Sequence, residues 1–135
     1  MTDVKPNRRV ITFGTFDVFH VGHLRMLQRA MSFGNWLAVG VSSDQLNLEK
    51  KGRLPVYPFM ERMQIIAAIR GVDYVFAEES LEEKFEYISR CSADVFVIGE
   101  DWKGKFDHLN YFCEVVYLPR TEGVSTTAVI EKIRS

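Results

Sequence analysis

Val10-Ile11-Thr12-Phe13-Gly14-Thr15-Phe16-Asp17-Val18-Phe19-His20-Val21-Gly22-His23 sets an apolar run directly before a loop bearing two imidazoles. It reads as a β-strand that breaks at Gly14 and passes through a short loop into a helix beginning near Gly22. A helix N-terminus offers unpaired N–H groups and the positive end of its dipole, so the junction is a natural phosphate site. His20 and His23, three residues apart, can lean to one side of the first turn and meet one bound group, neutral or cationic near neutral pH. Gly14 and Gly22 lack a Cβ and let backbone and ligand approach closely.

The same alternation runs outward from this stretch. Leu24, Leu27 and Met31 share a helical face that runs to Phe33, and Gly34 stops that helix. Trp36-Leu37-Ala38-Val39-Gly40-Val41-Ser42 is the near-continuous apolar run of a strand covered on both faces. Asp44 to Tyr57 follows as the longest candidate loop, and Pro58 opens a helix that carries Met60, Met63, Ile66, Ala67 and Arg70 to Gly71. Val72–Phe76 is a short strand; Leu81–Ser89 is a surface helix with Leu81, Phe85 and Ile88 inward and Glu82, Glu83, Lys84 and Glu86 elsewhere. Val95–Ile98 and Val115–Leu118 complete the strands, and Ser125 or Thr126 can cap a last helix. Trp36, Phe13 and the methionines of the second helix read as core.

Five strands separated mostly by helices predict an α/β fold, an open parallel sheet with right-handed crossovers and helices on both faces. Ligands of such sheets bind beyond the carboxyl ends of the strands, where strand order reverses. Four strand ends carry chemistry on that edge: Gly14–His23, Ser42–Arg53, Gly99–Trp102 and Arg120–Thr127.

The chain has 135 residues, 47% of them hydrophobic, which suits one domain; residues 1–8 read as a flexible N-terminal extension. With 17 basic and 18 acidic residues the net charge is -1, without the basic field of a nucleic-acid binder. The sequence has no secretory leader pattern and no apolar stretch approaching the roughly 20 residues that span a bilayer, so a cytoplasmic location without membrane contact is expected. Cys91 and Cys113 are too widely spaced for a Cys-x-x-Cys pair and read as buried or free thiols. Asp17 suits an Asx-type turn or loop-bracing role better than a catalytic one.

Gly14–His23, with its His-x-Gly-His core, resembles the first signature of the nucleotidylyltransferases that share this motif. Arg120-Thr121-Glu122-Gly123-Val124-Ser125-Thr126-Thr127 is similar to the second signature of their cytidylyltransferase family. Ser43–Leu48, Arg62, Arg70 and Gly99–Asp107 extend the resemblance over nearly all of the chain after Arg9. It implies a Rossmann-like fold and a reaction between CTP and a small phosphorylated acceptor, glycerol 3-phosphate first among them. The products would be CDP-glycerol, a donor for a glycerol-phosphate polymer such as teichoic acid, and pyrophosphate, by direct in-line displacement. Other acceptors (polyol phosphates, phosphocholine, phosphoethanolamine, phosphonates), adenylyl transfer to FMN, and a noncatalytic nucleotide-binding domain are the alternatives.

The resemblance also assigns roles. His20, His23, Lys50 and Arg120 are the implied catalytic groups. Gly14, Thr15, Phe16, His20, His23, Asp101, Arg120, Thr121, Ser125 and Thr126 are implied to bind the nucleotide, with Trp102 packing beside Asp101. Lys50, Arg62 and Arg70 are implied to bind the acceptor; on one continuous helix the two arginines would stand about 12 Å apart along one face. Where the family places a second lysine, two positions after the one matching Lys50, this chain has Gly52, between Lys51 and Arg53. Mg²⁺ is implied to accompany the triphosphate through phosphate and water oxygens, with no protein ligand assigned. A homodimer is implied as well.

Overall fold

In the computed structural model, which describes residues 7–121 and 123–135, five parallel strands form one sheet. They are β1 (Arg9–Gly14), β2 (Trp36–Ser42), β3 (Tyr74–Glu78), β4 (Val95–Gly99) and β5 (Glu114–Leu118), in the order β3-β2-β1-β4-β5. The helices are α1 (Val21–Met31), α2 (Asp44–Lys51), α3 (Phe59–Ala67), α4 (Lys84–Cys91) and α5 (Thr126–Arg134). The chain winds outward from β1 through β2 to β3, then crosses back to place β4 on the other side of β1. The strand order therefore reverses between β1 and β4, and the loop after β1 opens over that point.

Strands covered on both faces explain the near-continuous apolar runs. Val10, Val39, Val41, Val95 and Val97 pack with Leu27, Ala30 and Ile66 of α1 and α3 on one side. Ile11, Phe13, Ala38, Phe96 and Ile98 pack with Tyr87, Ile88 and Cys91 of α4 on the other. Cys91 and Cys113 are buried free thiols. The expected fold class is the observed one, α/β with helices on both faces.

Several local expectations give way to the structure. The supposed loop after Asp44 begins with α2: Ser43 caps it by accepting the Leu46 N–H (3.0 Å), and Gly52 closes it at φ 74. The helix after Pro58 ends at Ala67, so Arg70 stands beyond it and the shared arginine face does not form. Strand β3 lies two residues later than predicted because Asp73 exchanges hydrogen bonds with the Leu37 backbone ahead of it. Helix α4 buries Lys84 and leaves Phe85 exposed, the reverse of the expected partition. Met60 is 62% exposed rather than core, and Trp36 is half-buried beneath the Arg9 guanidinium (3.6 Å). Of the proposed N-terminal extension, residues 1–6 lie outside the described residues, whereas Arg8 pairs with Glu114 on β5.

Candidate functional site

The loop between β1 and α1 is tightly determined. Phe16 and Val18 hold φ values of 55° and 48°, a region that is costly for residues with a Cβ and most so for a β-branched one. Asp17 braces the loop. Its Oδ1 accepts from Val18 N–H (3.1 Å) and Tyr57 N–H (2.9 Å), and its Oδ2 accepts from Val56 N–H (2.7 Å). Asp17 thus ties this loop to the segment before α3 and matches the bracing role expected of it. A Cβ on Gly14 would lie 2.9 Å from the Phe16 ring, and one on Gly22 would lie 2.8 Å from the His20 ring. These glycines make room for the protein's own rings, and both line the cleft described next.

His20 is the N-cap of α1. Its Nδ1 accepts from Gly22 N–H (3.0 Å), and His23 Nδ1 accepts in return from His20 N–H (3.2 Å). The rings stack with centroids 3.8 Å apart at 25°. Part of the expected bare N–H cradle is thus spent on the His20 ring. A ring whose Nδ1 accepts a hydrogen bond carries its proton on Nε2 when neutral. Burial lowers the His20 pKa, and burial with the neighbouring His20 lowers that of His23 to about 4 despite Asp17. At neutral pH both rings are therefore neutral Nε2–H donors. His20 Nε2 lies 3.3 Å from Thr126 Oγ1, whose own hydrogen goes to the Asp17 carbonyl (3.2 Å). Through Thr126 the first turn of α5 is tied to the first turn of α1.

These groups line a cleft of about 980 Å³ at the carboxyl edge of the sheet, large enough for a nucleotide. Gly14, Thr15, Phe16, His20, His23, Lys50, Asp101, Trp102, Arg120, Thr121, Ser125 and Thr126 all line it, so four distant strand ends converge. Basic side chains outnumber acidic ones along this wall, Arg29, Lys51, Arg53 and Lys105 among them, although the chain as a whole carries a net charge of -1. Arg120 stands 3.6 Å from Asp101, both largely exposed. Lys50 is half-buried, and burial, with Lys51 nearby, lowers its pKa to about 8 although Glu78 opposes the shift. Ser125 caps α5 by accepting the Ala128 N–H (3.0 Å). Thr15 turns its hydroxyl to Asn47 (2.8 Å) rather than into open space. Glu122 of the second signature lies outside the described residues.

Two residues assigned to the acceptor are not on this wall. Arg62 is fully buried, with Nε on the Tyr57 carbonyl, Nη1 on the carbonyls of Thr15 and Ser42, and Nη2 on Asp44 (2.7–2.9 Å). It joins three segments of backbone behind the cleft. Arg70 is exposed and outside the cleft lining. Asn47 escaped the sequence reading: buried on α2, it accepts from Thr15 and donates to the Ser42 and Ser43 carbonyls. A polar residue on the buried stripe beside Leu46 was its signal, hidden while the segment was read as a loop.

Cleft and topology together define an α/β protein with a cation-rich cleft, roomy enough for a nucleotide, where its strand order reverses. The family model described as Cytidylyltransferase-like matches residues 11–132, and the chain belongs to that family. It is 48% identical over 126 residues to the Glycerol-3-phosphate cytidylyltransferase of Bacillus subtilis (strain 168), covering 93% of this chain and 97% of that one. It is 41% identical over 126 residues to the protein of the same name from Staphylococcus aureus (strain NCTC 8325 / PS 47), covering 93% and 95%. The solved lipopolysaccharide core biosynthesis protein of Thermoplasma volcanium GSS1 shares the fold, with a TM-score of 0.73 at 22% identity over 87% of this chain and all of that one.

Proposed function

We propose that this chain transfers CMP from CTP to glycerol 3-phosphate, giving CDP-glycerol and pyrophosphate. One observation carries the reading: two stacked, neutral imidazoles with Nδ1 committed to the helix cap and the proton on Nε2, that of His20 resting on Thr126 Oγ1, at a helix N-terminus in a cationic cleft. The choice of nucleotide and acceptor is supported by the near-full-length similarity to enzymes of that name.

A phosphate oxygen of the acceptor attacks the α-phosphorus, forming one P–O bond as the bridging P–O bond to the β-phosphate breaks, and pyrophosphate leaves with the electron pair. The attacking phosphate is already ionised, so no protein base or nucleophile is needed; the task is to hold two anions together and stabilise departing charge. His20 and His23 donate from Nε2 to phosphate oxygens, and these bonds strengthen as charge moves onto pyrophosphate. Lys50 and Arg120, with Lys51 and Arg53, offset repulsion between the substrates. Asp101 and Thr121 face the nucleoside side, and Ser125 and Thr126 bring the α5 N-terminus to it.

Mg²⁺ bound to the triphosphate would neutralise part of its charge. Among the described residues no three His, Cys, Asp or Glu side chains gather to hold a metal, and the Asp17 carboxylate is filled by backbone N–H groups. This donor set fits a cation carried by phosphate and water oxygens and not a protein cage. No helix among the described residues is long and apolar enough to cross a membrane. A cytoplasmic location is the reading that suits two small, water-soluble anionic substrates. The exposed edge strand β3, with Tyr74 45% exposed, is compatible with assembly as a homodimer.

The test is pyrophosphate release from CTP, ATP, GTP and UTP against glycerol 3-phosphate and the alternative phosphomonoesters. Turnover with CTP and glycerol 3-phosphate well above every other pair is expected. CTP binding without turnover on any acceptor would leave a noncatalytic nucleotide-binding domain instead.

A further inference from the structure

Behind the cleft wall lies a chain of buried polar groups that the proposed reaction does not directly use. Ser42 ends β2 opposite Glu78, which ends β3 in register with it. Lys50 Nζ donates to Ser42 Oγ (3.2 Å), and an ammonium has no lone pair to offer, so the Ser42 hydroxyl hydrogen goes to Glu78 Oε1 (2.8 Å). Glu78 Oε2 takes the ammonium of Lys84, the first residue of α4, which also lies over the Phe13 ring at 4.4 Å. Glu78 is 1% and Lys84 3% exposed. The Ser42 carbonyl is held by Arg62 Nη1 and Asn47 Nδ2, so the hydroxyl cannot turn away with its backbone.

A buried ion pair has a desolvation cost that its attraction often fails to recover, and apolar replacements are commonly neutral or stabilising. What this pair does besides packing is visible in its order. Lys84 neutralises the carboxylate, so Lys50 meets it only through a neutral hydroxyl. Lys50 is thereby fixed in direction without being paired to a carboxylate, and its charge stays available to an anion in the cleft.

We propose that Glu78 is a positioning residue for the transfer reaction, holding the Lys50 ammonium at the cleft wall through Ser42 while Lys84 neutralises it. This rests on the proposed function, because Lys50 is there assigned to the acceptor phosphate. Lys50 is the group that meets substrate; Glu78 and Ser42 act through it.

Ser42→Ala cuts the link and leaves the ion pair whole, but it unpairs the buried Glu78 Oε1, so it is expected to fold with a melting temperature lowered by a few degrees. Its KM for glycerol 3-phosphate should rise about tenfold, the worth of one hydrogen bond to a charged group, with kcat altered less than threefold. In a Lys50→Met background Ser42→Ala should cost nothing further, since the partner it positions is gone. The double variant Glu78→Leu/Lys84→Met removes both buried charges together with the acceptor of the Ser42 hydroxyl, and it should stay folded yet raise the same KM. An unchanged KM in Ser42→Ala, or a full additive loss on Lys50→Met, would overturn the proposal. Should the wild type form no CDP-glycerol, the proposed function fails, and calorimetry with inorganic phosphate then decides the positioning role. Ser42→Ala weakening phosphate binding about tenfold supports it, and equal affinity overturns it.

Discussion

His20 and His23 cap one another's helix turn and stack at 3.8 Å, which turns two flexible imidazoles into one fixed pair of Nε2–H donors. Replacing either ring by alanine removes a preorganised donor for the departing pyrophosphate. We expect kcat to fall by about 10² to 10³ in each variant. The cap bond is lost as well, so each should also lose about 1 kcal/mol of stability, read by urea denaturation. Near-normal turnover in both variants would remove the pair from the mechanism.

The pair also makes the fold acid-sensitive. His23 titrates near 4 when folded, because of burial and its neighbour His20, against an ordinary value of 6.5. A lowered folded value means the unfolded chain binds the proton first, so stability is complete above pH 6.5 and falls as pH drops toward 4. The loss reaches on the order of 3 kcal/mol at the lower end, because each pH unit between the unfolded and folded values contributes about 1.4 kcal/mol. Denaturation at pH 7 and pH 4.5 should show a smaller acid loss in His23→Asn than in the wild type. An identical loss would assign the acid limb to other groups.

Lys50 sets the opposite limb. Its burial holds it near 8, so it is charged below that pH and neutral above it. kcat/KM for glycerol 3-phosphate should fall as pH rises through about 8, and Lys50→Arg, which stays charged, should flatten that limb. A limb of unchanged position in Lys50→Arg would place the titrating group elsewhere.

The sheet and its binding edge were legible because strands buried on both faces write long apolar runs, as in Trp36–Ser42, whose predicted and observed bounds coincide. The segment after Asp44 was misread because its helix is mostly polar, with buried side chains only at Leu46 and Asn47. Its signals were the Ser43 cap and Gly52 stop. Lys84 was placed in solvent since a lysine among glutamates reads as a surface charge, and its partner Glu78 lies across a strand end that the sequence put two residues earlier. The convergence of Gly14–His23 with Arg120–Thr127 needed only the topology, whereas the fate of Arg62 needed tertiary contacts.

Arg62 satisfies three carbonyls and Asp44 in a fully buried position, so it acts on the fold before it can act on a ligand. Arg62→Ala leaves those acceptors unpaired and should destabilise the protein by about 3 to 5 kcal/mol in guanidinium unfolding. Because Thr15 lines the cleft and the Ser42 hydroxyl holds Lys50, the folded fraction should lose affinity for both substrates together. A variant of wild-type stability with only the acceptor KM raised would return Arg62 to the acceptor pocket.

Gly52 stands where the family resemblance implies a lysine, and the structure supplies a backbone reason for the glycine. It closes α2 at φ 74, its N–H reaching the Leu48 carbonyl (2.9 Å), with nothing within 4 Å of where a Cβ would be. Substitution therefore meets no clash and costs only the left-handed conformation, about 1 kcal/mol for lysine and less for asparagine. Lys51 and Arg53 already line the cleft on either side, whereas Gly52 does not. Gly52→Lys should lower the melting temperature by a few degrees and leave the KM for glycerol 3-phosphate within about twofold of wild type. A KM that instead falls about tenfold would mean that the flanking cations do not cover the site and that a lysine at position 52 reaches the acceptor phosphate.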